Sequence, residues 1–165
     1  MIVLSAHGLS VQTADHTSLG EISYETDIAT AATQLAAATG EQPVVTALPA
    51  RGGCDARNTY DWGGLNFYTV TYAGGPEKYF VLVSSGKTAT GLDLVAPNDQ
   101  RIGVKLSDVL ANVPGALQAN TGVMLDVQND PKYGPWGVVL KSEGGGPIVA
   151  YFSAPDYGHA HGICD

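Results

Sequence analysis

Positive charge is scarce in this chain. Eight lysines and arginines stand against sixteen aspartates and glutamates in 165 residues, a formal net charge of -8. A surface of that sign repels phosphate backbones and anionic bilayers, which argues against nucleic acid and phospholipid partners. Long apolar runs are missing too. The longest are a few residues, such as Tyr79 to Val83, far short of the ~20 that a membrane-spanning helix needs. Met1 is followed only by Ile2, Val3 and Leu4 before polar residues, whereas a secretory leader carries about 7–15 apolar residues in a row. Membrane association is therefore expected only through a lipid anchor lost with a removed leader.

Cysteine is almost absent. Cys54 lies in the polar stretch "ARGGCDARN" and Cys164 one residue from the end. Neither context resembles a core, so a single Cys54–Cys164 disulfide is expected over the alternative of two buried thiols. Such a bridge closes a loop of about 110 residues, worth roughly 5 kcal/mol in the chain-entropy account. It also implies an oxidising, extracytoplasmic location, secreted or anchored at the cell surface.

Catalytic templates are missing as well. The chain contains no Gly-x-Ser-x-Gly elbow and no His-Glu-x-x-His helix. Gly86, Lys87 and Thr88 in "SSGKTATG" form the end of a phosphate loop. The motif also needs a glycine where this chain has Val81, and a helix where a strand-like "GLDLVA" follows. Nucleotide binding is not expected. Ser84 and Lys87 have Ser-x-x-Lys spacing, but Ser107-Asp108 is followed by Val109 and Lys87-Thr88 by Ala89, so the companion motifs fail. A polar linker accounts for the stretch, and no cofactor is expected. Asp61, Asp93, Asp126, Asp130 and Asp156 are dispersed, while Asp27 and Asp108 suit the first turns of helices, where negative charge meets the positive end of the dipole.

What the chain does have is strand signal. With 44% hydrophobic and 15% charged residues, it has the makings of a folded globule. Runs rich in Val, Tyr, Phe and Thr begin at Gly8, Pro43, Leu65, Lys78, Gly91, Gly122, Trp136 and Pro147, and glycine or proline bounds most of them. Two helices interrupt. Thr26 is a candidate N-cap for a face of Ile28, Ala31, Ala32 and Leu35, ended by Gly40. A shorter helix starts at Ser107 and Asp108, turns Val109, Leu110 and Val113 inward, and stops at Pro114 and Gly115.

These pieces recur in order. "GLSV" at Gly8 answers "GLDL" at Gly91, "TDI" at Thr26 answers "SDV" at Ser107, "DWGGL" answers "PWGVV", and "GGPEKYF" at Gly74 answers "GGPIVAYF" at Gly145. The expected fold class is α+β: two tandem strand-helix-meander repeats, residues 1–86 and 87–165, forming one pseudo-symmetric domain. A helix with one apolar face must lie on a sheet, so the repeats are expected to share a curved antiparallel sheet with short helices on one face.

That plan resembles the β-lactamase-inhibitory-protein fold. It is also similar to actinobacterial secreted and lipid-anchored domains of unassigned role, in which a glycine and a hydrophobic residue lead into the helix as Gly103, Val104 and Val109 do here, and whose tails are like Cys164-Asp165. The chain departs from the inhibitor pattern at Lys105, where a threonine is usual, and at Ser23, where the first unit lacks the glycine. The inhibitors also close a disulfide within each unit. The resemblance implies a fold, and inhibitory activity does not come with it.

The remaining chemistry-bearing residues are histidines and aromatics. His159 and His161 project to one side if their segment is extended, the beginning of a metal site without obvious third and fourth ligands. A metal-binding protein or metal-dependent enzyme on that pair is the alternative reading, and a structural cell-surface module another. Tyr60, Trp62, Phe67, Tyr68 and Tyr72 cluster in the first unit, and Tyr133, Trp136, Tyr151 and Tyr157 in the second. Alternation from Leu65 puts Leu65 and Phe67 on one face and Tyr68, Val70 and Tyr72 on the other. The leading expectation is an exported, non-enzymatic domain that binds another protein or surface ligand through Tyr68, Tyr72, Trp62, Trp136 and Tyr133, with packing in the core and loop junctions the stronger reading for Trp62 and Trp136 and an equal one for Tyr68 and Tyr72.

Overall fold

Short alternating stretches dominate the chain, and the computed structural model folds them into strands; it describes residues 1–51, 55–71, 78–119, 122–130, 134–155 and 162–164. In chain order the elements are β1 (Ile2–Leu4), β2 (Gly8–Gln12), β3 (Ser18–Ser23), α1 (Ile28–Thr39), β4 (Val44–Leu48), β5 (Arg57–Asp61), β6 (Leu65–Thr71) and β7 (Lys78–Val83). They continue with β8 (Leu94–Val95), α2 (Leu106–Asn112), β9 (Leu117–Ala119), β10 (Gly122–Asp130), β11 (Gly134–Lys141), β12 (Tyr151–Ala154) and β13 (Gly162–Cys164). The protein is mostly sheet with two short helices, an α+β arrangement.

There are two sheets among the described residues, where one was expected. The smaller has four strands in the order β3-β2-β1-β8, antiparallel except for the parallel β1–β8 pair. The larger has nine, in the order β4-β5-β6-β7-β12-β11-β10-β9 with β13 beside β6, all antiparallel. The separation follows from the strand faces. Ile2, Leu4, Leu9, Val11 and Ile22 are buried on one side of the smaller sheet, which leaves the other side to Ser10, Gln12, Glu21 and the half-buried Val3. A sheet apolar on one face gains most by lying against a second apolar layer. That layer is α1 and the inner face of the larger sheet, where Leu65, Phe67, Tyr79, Val81, Val83, Val123, Leu125, Val138, Leu140 and Phe152 join the same core.

Polar contacts fix the two sheets together. The Tyr79 hydroxyl donates to the Ser23 carbonyl at 3.0 Å, and Lys78 pairs with Glu25. The Ala6 N–H donates to the Asp126 carboxylate at 2.7 Å. Asp126 can reach it because β10 shifts register between Leu125 and Gln128, and Asp126 itself has a φ of 50°. A bulge of this kind redirects one side chain out of the strand's alternation.

The helix ends follow local chemistry. Asp27, and not Thr26, is the N-cap of α1: its carboxylate accepts from the Thr30 N–H at 2.9 Å. That hydrogen-bonding side chain of Thr30, followed by its N–H, holds the Asp27 carboxyl below its usual range. Gly40 ends the helix with a φ of 74° and donates its N–H to the Ala36 carbonyl, the left-handed cap that glycine adopts without a Cβ clash. Ala31, Ala32, Leu35 and Ala36 are its buried face. In α2, which begins one residue earlier than expected, Val109 is buried, while Leu110 and Val113 pack half-buried against the core.

Candidate binding face

The registers of the larger sheet define one continuous row on its outer side. Val44, Asp61, Asn66, Leu82, Ser153, Val139, Met124 and Leu117 stand opposite one another across β4, β5, β6, β7, β12, β11, β10 and β9. At an inter-strand spacing of ~4.8 Å the row is about 34 Å long. Its half from Leu82 to Leu117 is apolar except for Ser153. One residue pair further along, Tyr68 and Phe80 face each other across β6 and β7 with ring centroids 5.4 Å apart and planes at 23°. On the adjacent row Tyr151 stands opposite Lys141.

Of these outer side chains Val139 is buried, 1% exposed, and the others lie outside the buried core. Tyr68, Phe80, Leu82, Met124 and Tyr151 are half-buried, supported by their neighbours on the face. Leu117 is 53% exposed. Stacked aromatics beside aliphatic side chains form a broad apolar surface, framed by the Asp61, Asn66 and Lys141 polar groups. Such a surface loses little conformational entropy when covered, because the rings are already held.

The sequence-expected residues separate into three groups. Tyr68 lies on the outer face, as the alternation from Leu65 predicts, with Leu65 and Phe67 buried behind it. Trp136 is half-buried elsewhere: its ring meets the His7 ring edge-on at 5.5 Å, beside the Ala6–Asp126 contact that joins the sheets. Trp62 lies in the core, 1% exposed. Its Nε1–H donates to the Glu41 carbonyl at 3.0 Å and its ring tilts against Phe67 at 4.9 Å.

Tyr72, Tyr133, His159, His161 and Cys54 lie outside the described residues, and with them the expected metal pair and disulfide. The backbone of Cys164 is described, in β13 opposite Thr69 of β6. Tyr151 was named among the clustered aromatics, while Phe80, Leu82, Met124 and Val139 are face residues that sequence reasoning did not single out. Their strands were legible in "KYFVLV" and "GVMLDV", but these unbroken apolar runs do not say which side chains face outward.

Two polar constellations lie away from this face. The Glu41 side chain is 6% exposed, and its carboxylate accepts from the Thr90 N–H at 3.1 Å and the Thr90 hydroxyl at 2.7 Å. It fastens the segment after α1 to the loop before β8. The second is a cleft of about 450 Å³ lined by His16, Lys87, Asp93, Asp99 and Arg101 among others. Asp93 pairs with Lys87 at 3.0 Å and Arg101 at 3.3 Å. The Lys87 ammonium, and after it the Arg101 guanidinium, hold the Asp93 carboxyl below the usual carboxylate range. Both cations are thus engaged within the protein.

Among the described residues no three His, Cys, Asp or Glu side chains are placed to hold a metal ion. No described helix is long and apolar enough to cross a membrane. No protein-family model matches the chain, and neither does a curated protein or a solved structure.

Proposed function

We propose that this chain is an exported, non-enzymatic binding domain that receives another protein or surface ligand on the outer face of its larger sheet. The observation that carries this reading is the apolar row from Leu82 to Leu117 with the Tyr68–Phe80 stack beside it. Contiguous apolar surface framed by polar groups is how non-obligate interfaces are built, with aromatic side chains as their anchors. A photo-cross-linking aromatic residue placed at Tyr68 or Phe80 should capture a ligand in the native host, whereas one at the exposed Gln34 of α1 should not. Leu82→Lys should reduce capture at least tenfold without lowering the thermal midpoint. Equal capture from Gln34 would remove the face from consideration.

We read the larger sheet as two tandem helix-and-meander units, similar to the β-lactamase-inhibitory-protein plan. The strand order supports this: β4 to β7 and β9 to β12 each run in chain order from an edge inward, meet at β7–β12, and follow a helix. The matched Gly-Gly-Pro sequences also fall at the same place, ahead of β7 and of β12.

The extracytoplasmic part of the reading rests on the expected Cys54–Cys164 bridge. The pairing of β13 with β6 supports it, because it returns the chain's end to the first unit. Peptide mapping without reduction should recover the two cysteine peptides linked. Free thiols at both positions would leave the location without a basis.

A further inference from the structure

The edge of the larger sheet at β4 is built unlike the other edges. Val44 and Val45 are 69% and 52% exposed, Thr46 and Ala47 are exposed too, and Val-Val-Thr-Ala-Leu contains neither a charge nor a proline. Soluble proteins ordinarily blunt their sheet edges with charge, proline, bulges or brevity, because an uncovered edge is a template for another strand. Among the described residues, the ends of the two strand orders away from β4 are blunted in that way. β3 carries Glu21 and pairs with β2 through a register shift at Val11 and Gln12. β8 has two residues and β9 three.

We propose that β4 pairs antiparallel with β4 of a second copy of this chain, about a two-fold axis through Thr46. Of the two-fold registers, this is the one that pairs all five residues. Val44 meets the partner's Leu48, Val45 meets the partner's Ala47, and Thr46 meets the partner's Thr46. Apolar faces apolar on both sides of the sheet, and the one hydroxyl-bearing residue faces its own kind, a favourable cross-strand pair.

Charge leans the same way, weakly at the roughly 14 Å of three strand spacings. Asp61 stands behind Val44 and Arg57 behind Leu48 on the outer face. With the axis at Thr46, each row across the junction runs from Asp61 through Val44 and the partner's Leu48 to the partner's Arg57, so an acidic residue behind one strand is matched by a basic one behind the other. Moving the axis to Val44 would instead end the row on two aspartates. On the inner side a cleft of about 350 Å³ between α1 and β4, lined by Ala32, Ala36, Pro43, Val45 and Tyr60, opens beside the inward side chains of the pair. The contact is isologous and closes at two copies. It also places both outer faces on one side of a continuous sheet, which makes the dimer bivalent for any ligand of that face.

Sedimentation equilibrium from micromolar to millimolar protein should show a monomer–dimer equilibrium. Thr46→Lys sets two like charges opposite each other at the axis, and should raise the dimer dissociation constant at least tenfold while the exposed position leaves the fold intact. Thr46→Cys should cross-link to its own counterpart under mild oxidation, identified by peptide mass, and Val44→Cys should not. A monomer at every concentration, a dimer indifferent to Thr46→Lys, or self-cross-linking from Val44→Cys would each overturn the proposal. Leu82→Lys should leave the dimer unchanged, so failure at the edge and failure of the face are told apart.

Discussion

Replacing Trp62 by alanine is expected to cost about 3–5 kcal/mol of stability, the range for removing a large aromatic from a packed core. The indole fills the space between Phe67 and the segment after α1, with its ring 1% exposed. Its backbone is equally constrained: the Trp62 N–H donates to the Leu65 carbonyl at 2.9 Å, and its own carbonyl accepts from the Ala89 N–H at 2.7 Å. Truncation therefore leaves a cavity that the surrounding chain is poorly free to fill. It also orphans the Glu41 carbonyl, which accepts from the indole N–H, at a cost of about 1–3 kcal/mol for a buried acceptor. Trp62→Phe separates the two effects, since it keeps much of the packing and loses the hydrogen bond. Urea unfolding of both variants measures them. A loss below about 0.5 kcal/mol for Trp62→Ala would be the behaviour of a surface residue, and would return Trp62 to the candidate ligand contacts.

Trp62 also shows where sequence reasoning reaches its limit. An aromatic flanked by Asp61, Gly63 and Gly64 has no local periodicity that says whether it faces solvent or core. What buries it is Glu41, 21 residues earlier, and the loop around Ala89 and Thr90, brought over it by long-range packing. Tyr68 was legible because Leu65 and Phe67 precede it in a clean alternation. Phe80 and Leu82 were harder: in "KYFVLV" five successive apolar residues mark a strand without marking a face. Their side became definite only through pairing with β6 and β12.

The elements missed in the sequence share a physical feature. β1, β9 and β13 are three residues long, too short to show a period, and β3 and β5 are polar because each has an exposed face. In the other direction, "GLDLVA" shrinks to Leu94–Val95. Gly91 turns the chain at a φ of 93°, and Asp93 is held by Lys87 and Arg101 outside any strand. The second sheet follows from β1 and β3. Without them Gly8–Gln12 has no neighbours, and a single sheet is the natural expectation.

Phe152→Ala is expected to be as damaging as the loss of Trp62, for a reason that concerns the whole architecture. Phe152 is fully buried opposite Val83 on β7 and Leu140 on β11. It stands at the junction where the two four-strand runs meet, a junction of three register pairs, Phe152 with Val83, Ser153 with Leu82 and Ala154 with Val81. A cavity here costs about 3–5 kcal/mol, or roughly 6–20 °C of thermal midpoint for a domain of this size. The transition should nonetheless remain single. The halves are also joined by the parallel pairing of Ile2 and Val3 with Leu94 and Val95, and by one core cluster to which both contribute. The halves cannot separate without uncovering β7, a six-residue and largely apolar strand, together with β12. Calorimetry with a second probe such as circular dichroism tests this: coincident transitions at a lowered midpoint mean one cooperative domain. Two resolved transitions would mean that each helix-and-meander unit folds by itself, with Phe152 merely docking one on the other.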